Sequence, residues 1–113
     1  MSQITTHILD TSKGKPAQGV KAVLEKPAAD GKWQTIGSGT TNADGRISDL
    51  LAPDLKLGAG IYRLVFETGA YFKNLGTACF YPSVCIVFET TDQTHYHVPL
   101  LLNPYGYSTY RGS

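Results

Sequence analysis

The chain has 113 residues, 42% of them hydrophobic and 17% charged, and a formal net charge of +1. This suits a single domain with a modest core. It is too apolar for a disordered segment and too evenly charged to carry the basic footprint that nucleic acid or an anionic membrane requires, so neither is expected as a partner. The apolar runs are too short for a bilayer-spanning helix. The opening "MSQITTHILD" lacks a basic region followed by a long apolar stretch, which argues against a secretory leader and points to the cytoplasm.

Taken in chain order, the segments alternate with period two and are broken by frequent turns, the pattern of strands. In "ITTHILD", Ile4, Thr6 and Ile8 share one face, and Thr5, His7 and Leu9 the other. "TSKGKPAQG" is a loop by its Gly and Pro content. "VKAVLEK" is the second strand and, after "PAADGK", "WQTIGSGTT" is the third. "NADGR" is a tight turn, because Asn, Asp and Gly accept positive φ or bond locally to the backbone. A short strand follows through Ile47, then the loop "APDLKLGAG". The β-branched and aromatic run "IYRLVFE" reads as a central strand. "TGAYFKNLG" breaks the alternation: Tyr71, Phe72 and Leu75 are at helical spacing and Gly76 supplies a glycine stop. "SVCIVFE" resumes it, with Val84, Ile86 and Phe88 on one face, and "HYHVPLLL" and "YGYSTYRGS" close the chain. Seven or eight short strands and one short helix imply an all-β sandwich of two antiparallel sheets. With no repeat and no compositional break, residues 1–113 read as one domain.

The two cysteines, Cys79 and Cys85, lie too far apart along an extended chain to bridge. We expect them reduced and buried as small apolar residues, which fits an intracellular chain.

Three histidines are available for chemistry: His7, His95 and His97. On a strand, His95 and His97 point to the same face. Such a pair can ligate a metal, with His7 as third ligand from a neighbouring strand, serve in metal-free acid–base work, or simply pack or sit at the surface. Arg46, directly after "NADG", is either a solvated loop residue or a guanidinium presented by a rigid turn to a planar or anionic group. No phosphate loop, nucleophile elbow or paired-carboxylate signature is present. The ending "YSTYRGS" is unlike a frayed tail. As a strand it would bury tyrosines whose hydroxyls need partners and hold Arg111 and the final carboxylate near the sheet.

The stretches "THILDTSKGKPAQGV", "TNADGR", "FETGAYF", "FYPSV" and "HYHVPLLLNPYGYSTYRGS" together resemble the 5-hydroxyisourate hydrolases, the transthyretin-related proteins. The resemblance runs from about Thr6 to Ser113, and "YRGS" is its most specific element. It implies a transthyretin-like sandwich of eight strands with one short helix, assembled as a homotetramer, a dimer of dimers. It also implies active sites in a channel between dimers, each drawing on two subunits. The implied reaction is hydrolytic ring opening of 5-hydroxyisourate to 2-oxo-4-hydroxy-4-carboxy-5-ureidoimidazoline, on the way from urate to allantoin. The family's catalytic residues fall on His7, Arg46 and His97, and its substrate-binding residues on these together with Tyr110, Arg111, Gly112 and Ser113. No metal or organic cofactor is implied. Relatives occur in peroxisomes and periplasm as well as cytoplasm.

Chemically, one neutral imidazole would deprotonate the attacking water while the other orients water or substrate, and Arg46 would bind the heterocycle and the developing charge. Our expectation is His7 as the base and His95 as a non-essential neighbour. Ser113 would fix a histidine tautomer or touch the substrate, and Tyr110 would pack the tail. The apolar Leu100, Leu101 and Leu102 would lie partly at subunit contacts, or else only in the core. The competing readings are a transthyretin-like carrier of a small aromatic ligand, a zinc hydrolase built on the three histidines, and an inactive structural sandwich.

Overall fold

The computed structural model describes residues 2–113. Nine strands and one helix follow in the order β1 (Ile4–Asp10), β2 (Lys15–Pro16), β3 (Lys21–Pro27), β4 (Trp33–Thr40), β5 (Arg46–Ile47), β6 (Gly60–Phe66), α1 (Thr68–Asn74), β7 (Val84–Thr90), β8 (Tyr96–Asn103) and β9 (Gly106–Thr109). Two of the nine are two-residue pairings, so the seven longer strands account for the alternation seen in the sequence. None of the described helices is long and apolar enough to cross a membrane.

The strands form two sheets. The first runs β2-β1-β8-β9, with β5 also pairing β1, and the second β4-β3-β6-β7. The run "IYRLVFE" is central as expected, since β6 lies between β3 and β7. The first sheet departs from the all-antiparallel expectation. β1 and β8 pair in parallel, in a register that sets Thr5 beside His97, His7 beside Pro99 and Leu9 beside Leu101. A parallel pair needs a long crossover; here the whole second sheet and the helix provide it.

The core lies between the sheets. Ile4, Ile8, Leu100 and Leu102 face it from the first sheet and Leu24, Leu64, Phe66 and Val84 from the second, all at most 2% exposed. Each such side chain contributes about 1.5–3 kcal/mol on burial. The helix adds Tyr71 and Phe72. It ends as "NLG" predicts: Gly76 has φ 70°, its N–H donates to Lys73 O, and the Thr77 N–H donates to Phe72 O, the two bonds of a Schellman cap. The Tyr71 hydroxyl donates to the buried Asp10 Oδ2 at 2.7 Å, tying the helix to β1.

Of the three leucines, Leu100 and Leu102 belong to the core, and Leu101 lies on the other face, half-buried. The cysteines are free, but not buried as expected. Cys79 lies in the loop after the helix, and Cys85 faces outward on β7, because alternation there gives Val84, Ile86 and Phe88 the inward positions.

Candidate active site

The site occupies the outer face of the first sheet, and local sequence builds it. In the "TNADGR" turn, Asn42 Oδ1 accepts from the backbone N–H groups of Asp44 (2.9 Å) and Arg46 (3.0 Å), and the Gly45 N–H donates to Asn42 O. Gly45 has φ 75°, and a Cβ there would stand 2.4 Å from Ile8 O; only glycine lets the turn lie this close to β1. The Ile8 N–H donates to Gly45 O at 2.7 Å. The result is a register in which Arg46 lies directly opposite His7. The loop arginine is thus delivered by a rigid turn to a histidine-bearing strand.

His97 comes from β8, one strand away. Its neighbours Tyr96 and Val98 point into the core, so it points outward and is half-buried. The tail then folds back over it. β9 pairs with β8, the Thr109 hydroxyl donates to Pro99 O at 2.7 Å, and the Gly112 N–H donates to His97 O at 2.9 Å. A Cβ on Gly112 would meet His97 Cδ2 at 2.6 Å and Pro99 Cγ at 3.2 Å. The glycine of "YRGS" is therefore required by the imidazole beneath it.

Arg46 and His97 line a cleft of about 290 Å3, with Ser113, Thr5, His95 and Ser48 among its other walls. Burial pushes the His97 imidazole below the ordinary histidine range of 6.5, and the positive fields of Arg46, His95 and His7 add to the shift. His97 is consequently neutral at neutral pH and able to accept a proton. Its Nδ1 lies 2.8 Å from Thr5 Oγ1.

The other expected residues divide. His7 stands at the flank, opposite Arg46 and close enough to be felt by His97. Tyr110 and Arg111 do not line this cleft within one chain. They border a second hollow, of about 280 Å3, at the open edge of the sandwich with Ile86, Phe88, Tyr96 and Val98. There the Arg111 guanidinium lies 4.7 Å from the Tyr96 ring centroid. The tail tyrosines are not buried as the strand pattern implied, with Tyr107 42% and Tyr110 58% exposed. Five residues of the cleft were not expected as site residues, Thr5, Thr6, Ile47, Ser48 and His95. Thr5 shares the outer face of β1 with His7, a relation present in the alternation, but only the parallel register brings it to His97. Among the described residues, no three His, Cys, Asp or Glu side chains stand close enough to share a metal ion, so the three-histidine zinc arrangement does not form within the chain.

A two-sheet sandwich whose outer face carries a neutral imidazole beside a guanidinium is equipped to accept a proton and to bind negative charge. Residues 4–112 match the profile described as HIUase/Transthyretin family, and the chain belongs to that family. It is 46% identical over 111 residues to the 5-hydroxyisourate hydrolase of Salmonella typhimurium, covering 97% of this chain and 80% of the relative. It is 46% identical over 116 residues to that of Mus musculus, covering 99% and 96%. Among solved structures, the Klebsiella pneumoniae 5-hydroxyisourate hydrolase matches with a TM-score of 0.85 and 41% identity over 97% of this chain and 92% of that one. Sea bream transthyretin in complex with thyroxine matches with a TM-score of 0.90 and 35% identity, over 98% and 95%. The fold is thus common to proteins named as hydrolases and to one solved in complex with thyroxine.

Proposed function

We propose that this protein is a 5-hydroxyisourate hydrolase, opening the six-membered ring with water to give 2-oxo-4-hydroxy-4-carboxy-5-ureidoimidazoline in urate degradation. Relatives of that name, bacterial and mammalian, match nearly the whole chain at about 46% identity. The observation that carries the chemistry is the cleft itself, where a neutral His97 faces the same space as Arg46. We assign water deprotonation to His97 rather than His7, because burial and the Arg46 guanidinium beside it favour its uncharged form. Arg46 binds the heterocycle and the carbonyl oxygen as negative charge develops there. His7, opposite Arg46, orients substrate or water. Ser113 closes the cleft, and Gly112 keeps the tail close without displacing the imidazole. A carrier of an apolar aromatic ligand has no use for this polar set.

The working form we propose is a homotetramer, a dimer of dimers, with each site completed by a second subunit. Supporting this, β7 and β9 are unpaired sheet edges, and large apolar side chains stay uncovered along them, with Val87 59% and Tyr107 42% exposed. Bare edges of this kind favour pairing with another chain. Tyr110 and Arg111, which face the edge hollow in one chain, are then placed to meet a neighbouring subunit. The test is direct: freshly generated 5-hydroxyisourate should lose its ultraviolet absorbance much faster with the protein than without it. An unchanged decay at neutral pH refutes the enzyme reading.

A further inference from the structure

One polar contact in the cleft is left unused by this mechanism. The Thr5 hydroxyl lies between two imidazoles, 2.8 Å from His97 Nδ1 and 2.8 Å from His95 Nε2. The two rings lie nearly parallel, with an interplanar angle of 27° and centroids 6.2 Å apart. Thr5 is only 6% exposed, so water competes little for its hydroxyl.

A hydroxyl carries one proton, and a neutral imidazole carries one on only one of its nitrogens. The hydroxyl can accept from both rings but can donate to only one, so at least one ring must donate to it; where the other ring accepts, the chain of bonds runs one way or the other. In one direction, His97 Nδ1–H donates to Thr5 Oγ1, and the Thr5 hydroxyl donates to an unprotonated His95 Nε2. His97 Nε2 then keeps a free lone pair. In the other direction, His95 Nε2–H donates to Thr5, Thr5 donates to His97 Nδ1, and the His97 proton sits on Nε2, where it blocks proton acceptance. A catalytic imidazole is often held in its working tautomer by a carboxylate on its second nitrogen. Here no aspartate or glutamate lines the cleft.

We infer that Thr5 and His95 are positioning residues that hold His97 in the tautomer with its Nε2 lone pair free, the hydroxyl relaying to His95 the bond a carboxylate would otherwise accept. This rests on, and deepens, the hydrolase reading. It reverses the expectation that His95 is a dispensable neighbour. The charged and titratable groups facing the pair are Arg46 from β5 and His7 from β1, with the end of the tail at Ser113 closing the cleft.

The test combines kinetics with imidazole nitrogen NMR on the full-length protein. In the wild type at neutral pH, NMR should show His97 protonated on Nδ1; a proton on Nε2 overturns the proposal. This measurement needs no variant and no substrate. It stands even if the protein proves inactive on 5-hydroxyisourate, a result that would remove the hydrolase reading instead. Thr5→Val keeps the shape and removes the hydroxyl. It should lower kcat by about tenfold or more, a part of the roughly 100-fold or larger contribution of a general base, with little change in KM and with loss of the Nδ1–H preference. Thr5→Ser should recover most of that loss. His95→Phe keeps an aromatic ring but no acceptor and should fall similarly. His95→Gln, whose amide oxygen accepts from Thr5, should recover turnover. Wild-type kcat in Thr5→Val, or a Thr5→Ser variant as impaired as Thr5→Val, overturns the relay.

Discussion

Two hollows of nearly equal size, about 290 and 280 Å3, lie on either side of the same strand and tail. His97 borders both. The outer cleft gathers polar groups: Arg46, two imidazoles and the hydroxyl-bearing Thr5, Thr6, Ser48 and Ser113. The edge hollow is lined by Ile86, Phe88, Tyr96 and Val98, with Arg111 over the tyrosine ring. Size therefore says little about role. The first holds groups that can move a proton and bind charge. The second is core that one chain leaves open at its border, the kind of surface that assembly covers. The period-two alternation of β8 generates both, sending His97 to one face and Tyr96 and Val98 to the other.

This contrast can be broken experimentally. The largest effect should come from the polar cleft: His97→Asn or Arg46→Ala should reduce turnover by about 100-fold or more, measured by 5-hydroxyisourate decay, with circular dichroism unchanged. Next is pH. Because the His97 imidazole is held below 6.5, the neutral base is present above that value and is lost as pH falls through its lowered pKa. Turnover should then decline on the acid side, approaching about tenfold per pH unit once His97 is mostly protonated; a rate flat from about pH 5 to 8 contradicts a histidine base. The same sign applies to stability, since the fold favours the neutral ring and is weakened at acid pH. Gly112→Ala, which drives a methyl group against His97, should cost about tenfold in turnover, as expected for a misplaced catalytic group, while leaving the melting temperature nearly unchanged. On the apolar side, Val87→Lys should shift the protein to smaller species in sedimentation by charging an exposed edge strand. Arg111→Ala should have the smallest effect, about 0.5–1 kcal/mol of stability from the lost stacking on Tyr96, read by thermal melting.

Local rules made much of this architecture readable in the sequence. Alternation located the long strands, glycine capping located the end of the helix at Gly76, and the "NADGR" turn pointed to Arg46. What escaped was non-local. Nothing in "ITTHILD" or "HYHVPLLL" states that the two segments lie side by side in parallel, because parallel pairing is set by packing of the whole sandwich rather than by a turn between them. For that reason the pairing of Thr5 with both histidines was invisible. Cys79 and Cys85 are unbridged as expected, but the burial habit of free cysteine misjudged their exposure, because the alternation of β7 gives Val84, Ile86 and Phe88 the inward face. The tail was legible as ordered, but not the division that sends Ser113 to one hollow and Tyr110 and Arg111 to the other.

The parallel pairing of β1 with β8 also governs when the site comes into being. The bonds from Thr5 to His95 and His97 join residues 90 and 92 positions apart, and the lid over His97 is the tail itself. During synthesis at about 5–20 residues per second, β1 leaves the ribosome seconds before its partner is made. The strand bearing Thr5 and His7 must wait, one side unpaired, while the second sheet forms. Long-range closures of this kind fold slowly. Competence is therefore the last property the polypeptide acquires: a nascent or prematurely terminated chain can hold most of the sandwich and yet contain no catalyst.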